Sequence, residues 1–194
     1  KRFVPESKVV NSAKVIAVYD PNKESADEFG EMFGLKVFSD RYDDFLSEID
    51  AVYVASSHLT HYEYTKQSLC AGKHVLCEIP FVLSTVQARE LYDFAETHNL
   101  VLLEASKTAF CPSFNHLVTL VKSGVIGDVV DVKTSLSKMV TAPTRELDAA
   151  QAGGAMNEHA PLNMMAIIKL LGKDYSKVDF YSKMENDAVS YTHL

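Results

Sequence analysis

The sequence predicts an α/β protein, in which a doubly wound parallel sheet of the Rossmann type occupies residues 1–111 and an α+β domain with a mostly antiparallel sheet begins in residues 112–194. Two observations predict this division. Short apolar strands alternate with helices as far as Cys111, which is the order that right-handed strand-helix-strand crossovers require. Beyond Pro112 this alternation stops and strands with one polar face follow.

The first domain carries candidate strands that are short, apolar and rich in β-branched residues, each followed by turn residues or by a helical pattern. These strands are predicted at residues 15–19, 35–38, 51–55, 74–77 and 100–103. Helices are predicted around Ala26–Phe33, over residues 43–48 and 60–71, and from Ser84 onward.

Local sequence marks two helix ends in this domain. Gly34 follows the helix around Ala26–Phe33, at a position where a left-handed backbone commonly ends a helix. Ser84, followed three positions later by Gln87, matches a capping box, so we expect a helix to begin there.

The second domain is predicted to begin with a helix over residues 113–122 that ends at Gly124. Residues 127–140 then alternate apolar and polar side chains, as a half-exposed antiparallel strand does. An exposed strand of this kind is compatible with pairing between copies of the chain. We therefore expect the full-length protein to form a homo-oligomer.

The remainder of the second domain is predicted from three further segments. Residues 141–151 are polar and irregular, as in a loop. The pair Gly153-Gly154 precedes a long helical pattern that ends at Leu171, and residues 178–181 begin another alternating strand.

Acidic side chains outnumber basic ones by 26 to 19, and the formal net charge is −7. Nucleic acids and anionic membranes are bound by basic surfaces, so the sequence argues against both as partners. No apolar run approaches the roughly 20 residues that span a bilayer. A small molecule is therefore the expected partner.

The three cysteines, Cys70, Cys77 and Cys111, are an odd number without the paired spacing of a metal site. Reduced thiols, and with them a cytoplasmic location, are expected rather than a disulfide framework.

Both ends of the chain are interpreted as truncated. The first six residues are typical of the middle of a helix-like segment, without a preceding strand. Residues 188–194 resemble translated sequencing-adapter read-through and receive no structural weight.

Asp20 is a candidate cofactor ligand because it ends the strand at residues 15–19. In doubly wound folds, a carboxylate about 20 positions after a glycine-rich turn binds the adenine ribose. The chain lacks that turn, and Asp20 has the expected spacing if the turn directly precedes Lys1. A carboxylate here would repel a 2′-phosphate, which favours NAD over NADP. The alternative is that Asp20 is only a turn residue before Pro21.

The segment Gly72–Pro80, GKHVLCEIP, resembles the signature "aGKHVlcEKP" of the Gfo/Idh/MocA oxidoreductase family, with Ile79 in place of lysine. The strand and turn from Ile49 are similar to the family's "iDaVyiatPn.lH", with His61 on the histidine. This resemblance implies an NAD(P)-dependent enzyme and a turn, Ser56-Ser57-His58, that passes along the cofactor.

Ser56 and Ser57 also follow the carboxyl end of a predicted parallel strand, where ligands bind in open α/β sheets. The alternative is structural: Ser57 or Thr60 caps the next helix and His61 packs in its first turn. Both descriptions can hold together.

Glu78 follows the strand at residues 74–77 and has little reason to point into a core. The resemblance implies that Glu78 lies near the nicotinamide ribose and that Pro80 fixes the turn.

The resemblance also implies a catalytic lysine, aspartate and histidine. Against the family's "GGalLDlGvH", Glu158 falls on the aspartate and Leu162 on the histidine, while Ile79 replaces the lysine. Lys107 and His159 are the candidate substitutes, because Lys107 follows a strand at the same sheet edge and His159 lies one helical turn before Leu162. The alternative for Lys107 is a solvated loop residue.

Three functions follow from this pattern. The first is hydride transfer between NAD and a sugar or polyol, with Lys107, Glu158 and His159 as catalytic residues. The second is a sensor or scaffold that binds the dinucleotide without turnover, since Ile79 and Leu162 replace acid/base groups. The third is non-redox chemistry with transient use of NAD. No metal site is expected, because Glu158, His159 and the histidines at 58 and 61 lack zinc-binding spacings.

Overall fold

Two small parallel sheets form the first half of the molecule. The computed structural model describes residues 2–140, 144–185 and 188–193. Strand β1 (Ala17–Tyr19) pairs with β2 (Lys36–Phe38), while β3 (Ala51–Val54), β4 (His74–Cys77) and β5 (Leu102–Glu104) form the second sheet in that order. All three pairings are parallel, which confirms the predicted fold class.

The sequence predicts one sheet, and the split between β1 and β3 has a topological reason. In the doubly wound order 3-2-1-4-5-6, the first strand lies between the second and the fourth. Strands β1 and β2 match the second and third positions of that order, and β3 to β5 match the later ones. The place between β1 and β3 is therefore that of the strand preceding the glycine-rich turn, and no described strand pairs with either of them there.

Helices alternate with these strands as predicted. They are α1 (Phe3–Ser7), α2 (Lys23–Phe33), α3 (Tyr42–Ser47), α4 (His61–Cys70) and α5 (Thr85–Thr97). Gly34 ends α2 with a left-handed backbone, φ 68°, as expected. Ser84 caps α5, although its side chain accepts from the Val86 amide at 3.3 Å and not from that of Gln87.

One apolar core supports both sheets. Leu46, Leu69 and Leu91 are each 1% exposed and bring α3, α4 and α5 against the strands. Tyr19 of β1 and Phe38 of β2 pack against the same core, so the two sheets share it without pairing. Burial raises the pKa of the fully buried Cys77 thiol to about 12, and all three cysteines are free.

The second half contains α6 (Pro112–Lys122), α7 (Ala155–Leu171) and an antiparallel pair, β6 (Tyr181–Glu185) and β7 (Ala188–His193). Helix α6 begins where the sequence analysis divides the chain, and that domain boundary stays a prediction. No helix in the described ranges has both the length and the apolar character needed to cross a membrane.

The predicted strand over residues 127–140 is wrong. These residues form neither helix nor strand, and Val130 and Met139 are 94% and 93% exposed. An alternating pattern forms a strand only when a neighbour completes its hydrogen bonds, and no described strand pairs here. The expectation of a homo-oligomer, which used this strand, stays a prediction.

Several other boundaries also differ from the sequence-based expectations, most of them by one or two residues. The strand predicted at residues 178–181 begins only at Tyr181, and residues 188–193, which received no structural weight, pair with it as β7. The strand predicted at residues 100–103 is observed at Leu102–Glu104, as β5. The predicted loop contains short 3₁₀ turns at Arg145–Leu147 and Ala149–Gln151, and its residues 141–143 lie outside the described ranges.

We predict that Leu91→Ala lowers the free energy of unfolding by about 2–5 kcal/mol, because it leaves a cavity where α5 meets the core. Urea unfolding followed by circular dichroism measures this change. Val86→Ala in the same helix is the control, because Val86 is 74% exposed, and its effect should stay within about 0.5 kcal/mol. Equal losses from both variants would contradict the assigned core.

Candidate functional site

The carboxyl ends of β3, β4 and β5 open at one edge of the sheet, because the three strands are parallel and in register. Val54 lies opposite Cys77, and Cys77 lies opposite Glu104. The turns that follow therefore emerge side by side. They carry Ser56, Glu78 and Lys107, three of the residues that the sequence analysis selects.

The turn after β3 is held by its own hydroxyl groups. Thr60 Oγ1 donates to Ser56 Oγ at 2.8 Å and lies 2.9 Å from the Ser57 carbonyl oxygen. Neither Ser57 nor Thr60 caps the backbone of the following helix through its side chain. The capping alternative is therefore not observed, and the Ser57 hydroxyl lies 3.3 Å from that of Thr60.

His61 joins the turns after β3 and β4. The imidazole is 1% exposed, and its Nδ1 lies 2.9 Å from the Pro80 carbonyl oxygen while Nε2 lies 3.1 Å from that of Ser56. The predicted packing of His61 at the start of α4 is thus observed. Each ring nitrogen lies within hydrogen-bonding distance of a backbone carbonyl oxygen, one from each turn, so His61 links the two turns.

Glu78 is oriented by the neighbouring strand. Its amide donates to the Val54 carbonyl at 2.9 Å, and its carboxylate accepts a hydrogen bond from the Tyr53 hydroxyl. Burial, together with this carboxylate, raises the pKa of Tyr53 above its ordinary value. The Ile79-Pro80 peptide bond is cis, and the half-buried Ile79 supplies no polar atom from its side chain.

Asp20 directly follows β1 and lies in a tight turn. Its Oδ1 accepts from the Asn22 amide at 2.8 Å, and Asn22 in turn caps α2 through the Ser25 amide. The turn role that the sequence left open is therefore present. It does not exclude a ligand, because a carboxylate accepts several hydrogen bonds.

A cavity of about 320 Å³ opens at the carboxyl end of β2, and its lining includes Phe38, whose carbonyl accepts from the Asp20 amide at 3.3 Å. Its charged lining consists of Lys23, Arg41 and the three aspartates Asp27, Asp40 and Asp44. Lys23 pairs with Asp27 at 3.1 Å and Arg41 lies 3.8 Å from Asp44. The lining thus has an excess of negative charge.

Glu158, in the first turn of α7, is paired with a cation. Arg145 donates through Nη1 to Glu158 Oε1 at 2.8 Å and through Nη2 to Oε2 at 3.3 Å. The Glu158 side chain is 15% exposed, and its Oε1 lies 3.7 Å from Nδ1 of the buried His58. The structure thus brings together two predicted site residues and adds Arg145, which the sequence analysis missed.

The pair Gly153-Gly154 allows the Arg145 loop to pack against α7. A Cβ atom at Gly153 would lie 2.3 Å from the Arg145 carbonyl oxygen and 2.9 Å from that of Asp148. The Gly154 amide donates to the Glu146 carbonyl at 2.7 Å. The close approach of this loop therefore requires a residue without a side chain.

Lys107 and His159 remain apart from this network. Lys107 is exposed in the 3₁₀ turn Lys107–Phe110, and His159 is half-buried on α7 next to Glu158. Neither the ammonium nor the imidazole forms a hydrogen bond or an ion pair with a described residue. Leu162 is half-buried one turn further along α7.

The sequence profile of the oxidoreductase family with an NAD-binding Rossmann fold matches residues 3–106. Among curated proteins, trans-1,2-dihydrobenzene-1,2-diol dehydrogenase of Xenopus laevis is 29% identical over 74% of this chain and 44% of its own. The scyllo-inositol 2-dehydrogenase (NADP(+)) IolU of Bacillus subtilis (strain 168) is 36% identical over 60% of this chain and 36% of its own. The chain spans less than half the length of these relatives.

Two solved structures are also similar to this chain in fold. An NAD-binding protein from Listeria innocua aligns with a TM-score of 0.75 at 22% identity, over 88% of this chain and 51% of its own, which is a likeness of fold alone. KijD10, a 3-ketoreductase from Actinomadura kijaniata in complex with TDP-benzene and NADP, aligns with a TM-score of 0.58 at 30% identity. That alignment covers 64% of this chain and 40% of KijD10.

We predict that Gly153→Ala lowers the free energy of unfolding by about 1–3 kcal/mol, because the new methyl group pushes the Arg145 loop away from α7. Chemical unfolding measures the loss. Ala150→Ser, which adds one atom at an exposed position of the same loop, is the control and should leave stability unchanged. A Gly153→Ala protein as stable as the parent would refute the tight packing.

Proposed function

Because the chain belongs to the Gfo/Idh/MocA oxidoreductase family, which has an NAD-binding Rossmann fold, we propose that the full-length protein is an NAD(P)-dependent dehydrogenase. Its substrate would be the hydroxyl group of a sugar, a polyol or a related small molecule. Hydride passes between the carbon that bears this hydroxyl group and the nicotinamide. A protein group takes up or returns the hydroxyl proton.

The observation that carries this proposal is the convergence of polar turns at one sheet edge. Ligands of doubly wound folds bind outside the carboxyl ends of the strands. The Ser56-Ser57 turn and Glu78 lie at that edge of the β3–β5 sheet, and Asp20 lies at the same end of β1. We assign Asp20 to the adenine ribose, the Ser56-Ser57-His58 turn to the middle of the dinucleotide, and Glu78 with Pro80 to the nicotinamide end. His61 supports these turns.

The names of the relatives support the substrate class. They describe a diol dehydrogenase, an inositol dehydrogenase and a ketoreductase. Each of these names describes chemistry at an alcohol or ketone carbon. A small hydroxylated molecule is accordingly the proposed partner of this chain.

The proton acceptor we propose is Lys107, with His159 as the alternative. Both side chains lack hydrogen-bond partners within the described residues, whereas Glu158 is engaged by Arg145 through both oxygens. The two contacts hold the carboxylate in one orientation, toward Arg145. Glu158 therefore serves catalysis through its charge and its contacts.

We predict that the full-length protein changes nicotinamide absorbance with one or more members of a panel of sugars and polyols. Lys107→Ala should lower kcat by about 10²–10⁴-fold, the usual cost of losing an acid/base group. Lys8→Ala, which removes an exposed lysine of the N-terminal segment, is the matched control and should retain activity. Full activity in the Lys107→Ala protein would exclude Lys107 as the acceptor.

A cofactor-binding protein without turnover is the second candidate function, and Ile79 and Leu162 are the observations that favour it. It predicts dinucleotide binding by calorimetry and no absorbance change with any substrate. The same panel applied to Ile79→Lys separates the two functions. Turnover that appears only in this variant would support a sensor or scaffold and contradict the dehydrogenase.

NAD is the proposed cofactor, although IolU and KijD10 are named with NADP. Asp20 and the excess negative charge of the neighbouring cavity both oppose a 2′-phosphate. The Asn22 amide keeps Asp20 in place at the end of β1.

We predict that Asp20→Asn lowers the preference for NAD over NADP, measured as the ratio of dissociation constants, by about tenfold or more. Asparagine can still accept from the Asn22 amide, so the turn should persist while the charge is lost. Asp93→Asn on the exposed face of α5 is the control. An unchanged ratio would show that Asp20 does not face the ribose.

A further inference from the structure

We propose that Arg145 is a positioning residue, which acts through Glu158 and His58 to fix helix α7 against the turn that follows β3. The inference rests on the proposed function, because that function assigns the β3 turn to the cofactor and α7 to the proton transfer. The inference goes beyond that function because it names the group that sets the position of α7 relative to the β3 turn.

The first step is the ion pair between Arg145 and Glu158. Both carboxylate oxygens accept from Arg145, at 2.8 and 3.3 Å, in the two-pronged geometry that suits a guanidinium and a carboxylate. Only 15% of the Glu158 side chain is exposed, so water replaces little of this contact. Removing Arg145 would leave a largely buried charge without its partner.

The second step is the orientation of His58. Nδ1 of His58 lies 3.2 Å from the Ala152 carbonyl oxygen and 3.7 Å from Glu158 Oε1, and both of these atoms are acceptors. Arg145 Nη1 lies 3.2 Å from Nδ1 and 3.4 Å from Nε2, so the guanidinium contacts both ring nitrogens and holds the ring beside Glu158.

The third step connects the cluster to the sheet edge. The His58 ring meets the His61 ring edge to face at 5.6 Å, and His61 holds the carbonyl groups of Ser56 and Pro80. A continuous set of contacts thus runs from Arg145 to the turn that contains Glu78. At its other end, Glu158 is followed directly by His159 on α7. The separation of α7 from the two turns depends on this cluster.

The ion pair Lys138–Glu146 in the same region has no such connection. Its side chains are 55% and 23% exposed, and neither contacts His58 or Glu158 in the described part of the chain. Water and salt screen exposed pairs of this kind, so they contribute little. It provides a matched control of the same charge type.

The experiment compares Arg145→Met, Arg145→Lys, the double variant Arg145→Met/Glu158→Met and the control Lys138→Met in the full-length protein. Four quantities are measured for each: unfolding by denaturant, the ¹⁵N chemical shifts of the His58 imidazole by NMR, kcat, and the dissociation constant for NAD. The double variant separates positioning from folding. Loss of both partners removes the unpaired charge and should restore stability.

We expect the ¹⁵N chemical shifts of the His58 imidazole to be the same in the parent protein and in Lys138→Met, and to change in Arg145→Met, because the guanidinium contacts both ring nitrogens. The kcat of Arg145→Met should fall by about tenfold to a hundredfold, the range expected when reacting groups are displaced by an ångström or less, with a smaller change in NAD binding. Arg145→Lys should recover part of this loss. The double variant should be as stable as the parent and as slow as Arg145→Met.

Two results would overturn the inference. One is a His58 imidazole whose ¹⁵N chemical shifts are unchanged in Arg145→Met, and the other is a double variant that regains kcat together with stability. If the parent protein shows no turnover at all, the proposed function fails, and the His58 shifts alone then decide the role of Arg145. Changed shifts would support it, and unchanged shifts would refute it.

Discussion

The parallel hydrogen-bond ladder of β3, β4 and β5 is the constraint on which the rest of the structure depends. Its register aligns Val54, Cys77 and Glu104, so the three turns that follow leave the sheet at one level. A shift of one residue would move Val52, Val54, Val75 and Cys77 out of the core, because successive side chains face opposite sides of a strand. The same burial that stabilises the sheet therefore also aligns the polar turns.

Buried polar contacts then convert this alignment into a defined site. His61 has a backbone partner for each ring nitrogen, and the Tyr53 hydroxyl donates to Glu78. A buried polar group without a partner costs free energy, so satisfied groups of this kind favour a single arrangement. The turns after β3 and β4 are consequently held by Tyr53 of β3 and by His61 at the start of α4.

Much of the structure of residues 2–111 could be predicted from sequence, because its strands are short, apolar and rich in β-branched residues and its helices carry local end signals. Strand β4 has the predicted bounds, and Gly34 and Ser84 act at the helix ends as expected. The strand over residues 127–140 could not be judged in this way, since strand formation depends on a partner rather than on the segment itself. Arg145 was missed for a related reason, because its contacts with Glu158 and His58 join residues 13 and 87 positions apart. A carboxylate on an apolar helix was the one available signal that a cation lies nearby.

The division of the parallel strands into two sheets has a consequence for cooperativity. No backbone hydrogen bond joins β1–β2 to β3–β5 within the described residues, and the smaller ladder contains three residue pairs. Segments with so few internal hydrogen bonds open locally at lower free energy than the main core. Asp20 belongs to the smaller unit and Glu78 to the larger one. A dinucleotide held by both would act as a cross-link between them, and its binding free energy would protect the smaller unit most.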